Sequence, residues 1–348
     1  MRNSTVKQRW KPVLLLMVLA PVLAEVISGG TPITQMFLPW ILVFYVVFLY
    51  GFQVLVIREV AVRGRLGPLG LWCLGAVYGL YNEGLRAQTL FPPVHSPVET
   101  FADYGLVAGV RIPFTMWIIS WHGLFSVVIP VLVVEYLFPA RAGRPWLPRT
   151  ATWILGIFSV ATAAGYFLFV ADGRDTQSAT TLGVHLAFVV TAALVLGVVA
   201  TALPRTPRLL PRSAAGGRRS RLFATGAALF LVVFLLPELL AEAGVPWPLF
   251  VAVLAVLAAG ATWAVTRRRA ATREQATVFV LGCGSAQAAL SVVLGLLDGN
   301  IMWTVSGAGI GAIFIVSVLR MSRKESAHVD HLLPLDAPHS PGGDNDQV

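Results

Sequence analysis

The stretch LGVHLAFVVTAALVLGVVATAL, residues 182–203, decides the fold: it carries a single ionisable group, His185, and shows no alternation of apolar and polar positions. A helix needs about 20 mostly apolar residues to cross hydrocarbon roughly 30 Å thick, whereas a lipid-facing barrel strand alternates. The segment therefore reads as a transmembrane helix. The same pattern recurs along the chain, giving ten predicted spans at 12–28, 37–57, 67–90, 113–138, 151–171, 182–203, 222–243, 246–266, 275–297 and 301–319. The predicted fold is an all-α polytopic helical bundle, with the first four helices as a core closed by the later six.

Composition agrees. Of 348 residues, 56% are hydrophobic and only 12% charged, with mean hydropathy +0.75, against about 25% charged in ordinary soluble domains. A water-soluble fold is excluded, and the lipid bilayer is the first partner. The net charge of +9 does not point to nucleic acid, because the basic residues sit in short loops and not on one face of a folded domain. Cys73 and Cys283 both fall in apolar runs, so no disulfide framework is indicated.

Lys and Arg set the orientation, because short cytoplasmic loops collect them. With ten spans, 23 of the 26 basic residues fall on one side, leaving Arg86, Arg111 and Arg174 in or beside the opposite loops. Both termini are accordingly predicted to be cytoplasmic. The Arg-over-Lys bias, 23 to 3, suits a GC-rich bacterial genome, and the expected location is a bacterial inner membrane. The first segment also has the basic leader and apolar core of a cleavable signal peptide. Its loss would leave nine helices, each oriented as before. Residues 1–203 form the first group of helices and 222–324 the second, joined by a flexible Pro-, Gly- and Arg-rich link over 204–221. A disordered tail is predicted over 325–348. The outer loop 92–112, with Pro92, Pro93 and Pro97, is expected to fold back on the membrane surface.

Ionisable groups at membrane depth are costly and mark functional sites by default. At about 1.5 Å per residue, Glu25, Glu83, Arg86 and His185 come out in the outer half, with His122 near the middle. Glu238, Glu242 and Asp298 lie at helix ends within reach of water, and Glu135 is expected to reach the headgroups, turned away from His122. The third segment is the most informative: Glu83 and Arg86 are three residues apart, Asn82 and Arg86 four, so either pair can meet on one face. One reading is an internal ion pair that anchors helix packing. The other places Glu83 in a cavity shared with His122 and Ser126 of the fourth segment, where Pro130 opens the backbone.

This segment resembles the CAAX-type prenyl protease and bacteriocin-processing membrane family, in which paired glutamates and a following arginine act with histidines of later helices to activate water. On that resemblance Glu83 matches the second glutamate, Arg86 the arginine, His122 the first histidine and His185 the second. It implies a membrane-embedded hydrolase with Glu83 as general base beside His122. The pattern departs where Asn82 replaces the first glutamate and where Val189 replaces the asparagine four residues after His185. Glu83, His122 and His185 are zinc-ligand types without diagnostic spacing, so no metal is assigned, and no motif identifies a cofactor. Glycines in Gly282-Cys283-Gly284 and Gly307-Ala308-Gly309-Ile310-Gly311 read as surfaces for close helix packing.

The leading functional expectation is binding or passage of a small or amphiphilic solute through an outer-half polar pocket lined by Glu25, Asn82, Glu83, Arg86, His122, Ser126 and His185. A CAAX-like hydrolase and an assembly or accessory subunit are the alternatives.

Overall fold

A computed structural model describes residues 2–92, 98–169, 179–203, 205, 219–267 and 273–330. Among these residues twelve α-helices run in the order α1 (Arg2–Pro21), α2 (Pro39–Val43), α3 (Gly51–Arg63), α4 (Pro68–Leu80), α5 (Ile112–Trp121), α6 (Ile129–Leu137), α7 (Arg149–Phe169), α8 (Ala179–Ala202), α9 (Arg219–Glu242), α10 (Trp247–Arg267), α11 (Arg273–Leu297) and α12 (Ile301–Asp330). Several join end to end through π-helical turns, so α2 with α3 and α5 with α6 each make one continuous rod. Among the described residues seven rods are long and apolar enough to cross a membrane: Pro39–Arg63, Ile112–Leu137, Arg149–Phe167, Thr181–Ala202, Ser220–Glu242, Thr277–Leu297 and Ile301–Arg320. Helices are the form such segments must take, because hydrocarbon offers backbone N–H and C=O groups no partner but each other.

The rods differ in their surroundings. In Ile112–Leu137, 78% of an 18-residue apolar stretch is buried and the rod forms the centre, whereas in Thr181–Ala202 the corresponding share is 11% and Leu194, Val195 and Val198 turn outward, as in a lipid-facing helix. Prolines set the rod starts: Pro39, Pro68 and Pro113 each stand at the first helical turn, where a missing N–H costs nothing. The first segment packs as an internal helix, with Leu16, Ala20 and Ile27 fully enclosed and Gln287 of α11 donating to Leu23 O at 2.7 Å. Losing it to cleavage would strip a wall from the core.

Small residues bring rods into backbone contact, as expected. Gly226 of α9 faces the carbonyl of Phe279, and Gly282 of α11 faces that of Phe223. Across α11 and α12, Gly284 lies against Phe314 and Gly311 against Ala288. Closest to the centre, a methyl group at Gly75 would meet Gly123 Cα at 2.8 Å, and one at Gly79 would meet Ile119 Cα at 2.9 Å.

Three expectations need correction. Glu135 does not reach the headgroups, and Arg58 is not a loop cation: both are buried. Arg58 Nε donates to Glu135 Oε1 at 2.9 Å, Nη1 to Glu59 Oε1 at 2.6 Å and Nη2 to the Arg144 carbonyl at 2.8 Å, with its guanidinium 3.6 Å from the centroid of the Trp146 ring. Glu59 and Glu135 supply the counter-charge that lets an arginine leave water. The outer loop is also not a surface strap. Within it Leu106–Val107 and Val110–Arg111 pair as a two-stranded hairpin, turning through Ala108 and Gly109 at positive φ, the backbone a two-residue hairpin needs. Phe101 is driven inward against Phe114, Trp117 and Phe250, and Arg111 ties the loop down through the carbonyls of Ala102 and Thr89 at 2.8 and 2.7 Å. Pro93 and Pro97 of this loop lie outside the described residues, as does the link over 204–221 apart from Arg205 and the start of α9. Finally, α12 runs on to Asp330, so the first part of the predicted tail is helical, and 331–348 lie outside the described residues.

Candidate functional site

Among the described residues four π-helical turns occur, at Val22–Val26, Phe44–Leu49, Tyr81–Arg86 and His122–Val128, each in a different rod. A π turn inserts one residue into the helix, rotates the residues beyond it and loosens the regular carbonyl ladder, and such turns gather at functional sites. Here they carry Glu25, Tyr45, Asn82 with Glu83, and His122 with Ser126. The last turn runs up to Pro130, which has no N–H to offer and so favours the break. Carbonyls within the turns find side-chain donors: Leu23 O takes Gln287, Leu49 O takes the Tyr78 hydroxyl at 2.9 Å, and Phe48 O takes Gln53 and Arg86.

The polar groups form two linked sets. In one, His122 Nε2 lies 3.0 Å from Glu83 Oε1 and its Nδ1 lies 2.8 Å from Ser126 Oγ. Glu83 also accepts from Asn82 Nδ2 at 3.0 Å and from the Thr89 hydroxyl. In the other set, Glu25 accepts from the Thr31 hydroxyl at 2.8 Å and from Tyr50, and the Thr31 and Tyr45 hydroxyls are 3.0 Å apart. Aromatic rings bridge them: the His122 centroid is 6.4 Å from that of Tyr50 and 5.5 Å from that of Tyr78. Two carboxylates thus flank one imidazole inside an aromatic wall. The glycine crossing sets this geometry, because Gly75 and Gly79 on α4 let the His122–Val128 turn close against the helix that carries Glu83.

Of the residues singled out from sequence, Glu25, Asn82, Glu83, His122 and Ser126 come together. Arg86 and His185 do not join them. Arg86 turns toward Phe48 O at 3.3 Å, with its guanidinium over Phe44, 5.1 Å from the ring centroid, and near Tyr81 and Tyr166. It makes no ion pair with Glu83, so the self-neutralising pair is not what the fold builds. His185 stacks flat on Phe91, with centroids 3.8 Å apart. The zinc set of Glu83, His122 and His185 therefore does not assemble, and among the described residues no three His, Cys, Asp or Glu side chains gather as a metal site. The site is also closed rather than an open pocket: Glu83, His122 and Tyr78 are each buried and Ser126 is fully enclosed. Sequence reasoning missed Thr31, Tyr45, Tyr50, Tyr78 and Thr89. Their one signal was the run of tyrosines at the depth of Glu25 and Glu83, which reads equally well as interface aromatics.

Residues 14–323 match the sequence model of an uncharacterized membrane protein family. The chain belongs to that family. It is a membrane protein embedded in a lipid bilayer, and the match runs from α1 into α12, taking in every residue of the two polar sets. No curated protein and no solved structure matches the chain. The family's description makes no mention of a CAAX-type protease. With Arg86 and His185 turned away from Glu83 and His122, that resemblance gains no support from the fold either.

Proposed function

We propose that the protein binds or passes a small or amphiphilic solute at the buried site formed by Glu25, Glu83 and His122, in a bundle that crosses a bacterial inner membrane ten times with both termini in the cytoplasm. The observation that carries this reading is the convergence of the four π turns on one polar cluster. Regular helices would serve a merely structural bundle. A set of loosened turns is what a site needs in order to open, because each can slip back to an α-helical register and turn its side chains away. Asn82, Ser126, Thr31 and Tyr50 position the three ionisable groups, and Tyr78 walls the site on the side of α3.

The test begins with stability. Glutamine at position 83 can still accept from His122 and Thr89, and Arg86 does not depend on Glu83. Glu83→Gln should therefore shift the unfolding of purified protein in detergent by no more than about one hydrogen bond, ~1 kcal/mol. Adding Arg86→Gln should bring no rescue. Bacterial lipid and small-molecule extracts should then contain a fraction that raises the melting temperature of the parent protein and leaves that of Glu83→Gln unmoved. Strong destabilisation by Glu83→Gln, restored by the double substitution, would sink the reading.

A hydrolase is the second reading, favoured by the Glu83–His122–Ser126 chain, in which an imidazole bridges a carboxylate and a hydroxyl. Its mark would be covalent modification of Ser126 by a hydrophobic fluorophosphonate, lost in His122→Ala.

Orientation is tested separately. In a background lacking Cys73 and Cys283, a cysteine at Asn300 should react with an impermeant thiol reagent added to intact cells, and one at Arg144 should not. Labelling at Arg144 from outside would invert the topology.

A further inference from the structure

Away from the polar site, a groove of about 1160 Å³ runs between α3, α4 and α7, with walls that are almost entirely apolar, including Val56, Ile57, Val60, Leu74 and Ile157. From Gln53 at one end to Arg63 at the other is ten residues of α3, about 15 Å at 1.5 Å per residue. The ends are polar. Arg149, exposed, and Arg63 stand at the same mouth, near the basic loops. Arg63 gives Nη2 to Glu59 Oε2 at 3.2 Å and to the Leu147 carbonyl, and its Nε is buried without a hydrogen-bond partner. Glu59 and Glu135, the acids of this end of the bundle, are already engaged by Arg58, so among the described residues the mouth presents cationic donors with no acid of its own to answer Arg149. At the far end Gln53 is 5% exposed, and its Oε1 has no partner.

We propose that this groove binds an anionic phospholipid, its phosphate held by Arg149 and by the guanidinium of Arg63, whose side chain is 26% exposed, and an acyl chain lying along α3 toward Gln53. Guanidinium groups suit this role because their planar donors match phosphate oxygens in pairs. The apolar walls take the chain as they would take a neighbouring helix. Gly156 is the critical wall residue: a methyl group there would meet only Val56, at 3.8 Å, so a larger side chain at this position of α7 would have room to project into the groove. Tyr78 lines this groove and also contacts His122, which places the bound chain one ring away from the polar site. The lipid site stands whether or not that polar site takes a solute.

Native mass spectrometry of the purified full chain tests it, with phosphatidylglycerol and phosphatidylethanolamine of identical chains as probes. Each arginine near an anionic headgroup is worth about a fivefold change in affinity. Phosphatidylglycerol should therefore bind at least about fivefold tighter than phosphatidylethanolamine, and Arg149→Gln should remove most of that preference. Gly156→Phe, which fills the groove without touching either arginine, should weaken both lipids while the melting temperature in detergent holds. Equal binding of the two lipids by the parent protein would overturn the headgroup assignment. Unchanged lipid binding by a folded Gly156→Phe protein would overturn the groove as the chain's seat.

Discussion

Replacing Glu135 by leucine should cost the protein about 3–5 kcal/mol, the typical loss when one member of a buried ion pair is removed. Arg58 and Glu59 are both fully buried, and Glu135 is 1% exposed. Glu59 serves two cations, pairing with Arg58 at 2.6 Å and with Arg63 at 3.2 Å. With Glu135 gone, two guanidiniums share one carboxylate, and Gly143 N loses the oxygen it donates to at 2.6 Å. The deficit should appear as a large fall in melting temperature in detergent. Replacing the partner as well should offset most of the deficit, because Arg58→Met removes the stranded charge. Glu59 then keeps Arg63 and the Trp146 N–H, 2.8 Å away. The Arg58→Met, Glu135→Leu double variant should recover most of the lost stability, since apolar groups of similar volume often replace a buried pair at little cost. A single Glu135→Leu variant that melts like the parent would show that the network is solvated and that its burial has been misread.

Gly79→Val should both destabilise the bundle and disarm the polar site. A Cβ at Gly79 would lie 2.9 Å from Ile119 Cα and 3.1 Å from His122 Cβ. The first of those is backbone and cannot step aside. Valine adds two further methyl groups, so the rods must separate, at a cost of about 1–3 kcal/mol or more, as for other overpacked interiors. The separation acts on the 3.0 Å contact between His122 Nε2 and Glu83 Oε1. Any extract fraction that stabilises the parent protein should therefore fail to stabilise Gly79→Val even at temperatures where the variant is folded. The control is Gly197→Ala, where the structure leaves open space around α8. There the substitution should leave stability unchanged or raise it by about 0.5–1 kcal/mol, the usual penalty of a mid-helix glycine. If Gly79→Val and Gly197→Ala behave alike, close packing does not set the site.

The sequence by itself determined the membrane class and the helical character of the chain. Hydropathy integrates over about 20 residues, so it survives ignorance of what each helix touches. It also placed Glu25 and Glu83 in the outer half with His122 near the middle, because rise per residue is fixed. What it left open was rotation about each helix axis. An ideal helix would have faced Glu83 toward Arg86 and kept Glu135 near the headgroups. The π turns at Val22–Val26, Tyr81–Arg86 and His122–Val128 each add a residue to a turn and change the direction in which every later side chain points. Nothing in the local sequence announces such an insertion except a proline at Pro130, and Pro237 shows that proline alone does not suffice, since α9 runs through it as an α-helix. The buried fate of Arg58 was hidden for a related reason. Its partner Glu135 is 77 positions away, and a basic residue at a helix end reads as a loop cation until tertiary packing brings a carboxylate to meet it. Depth is a property of one helix and can be read along the chain. Facing is a property of helix pairs, decided by where glycines let backbones touch and where π turns rotate them, and only the tertiary structure holds that information.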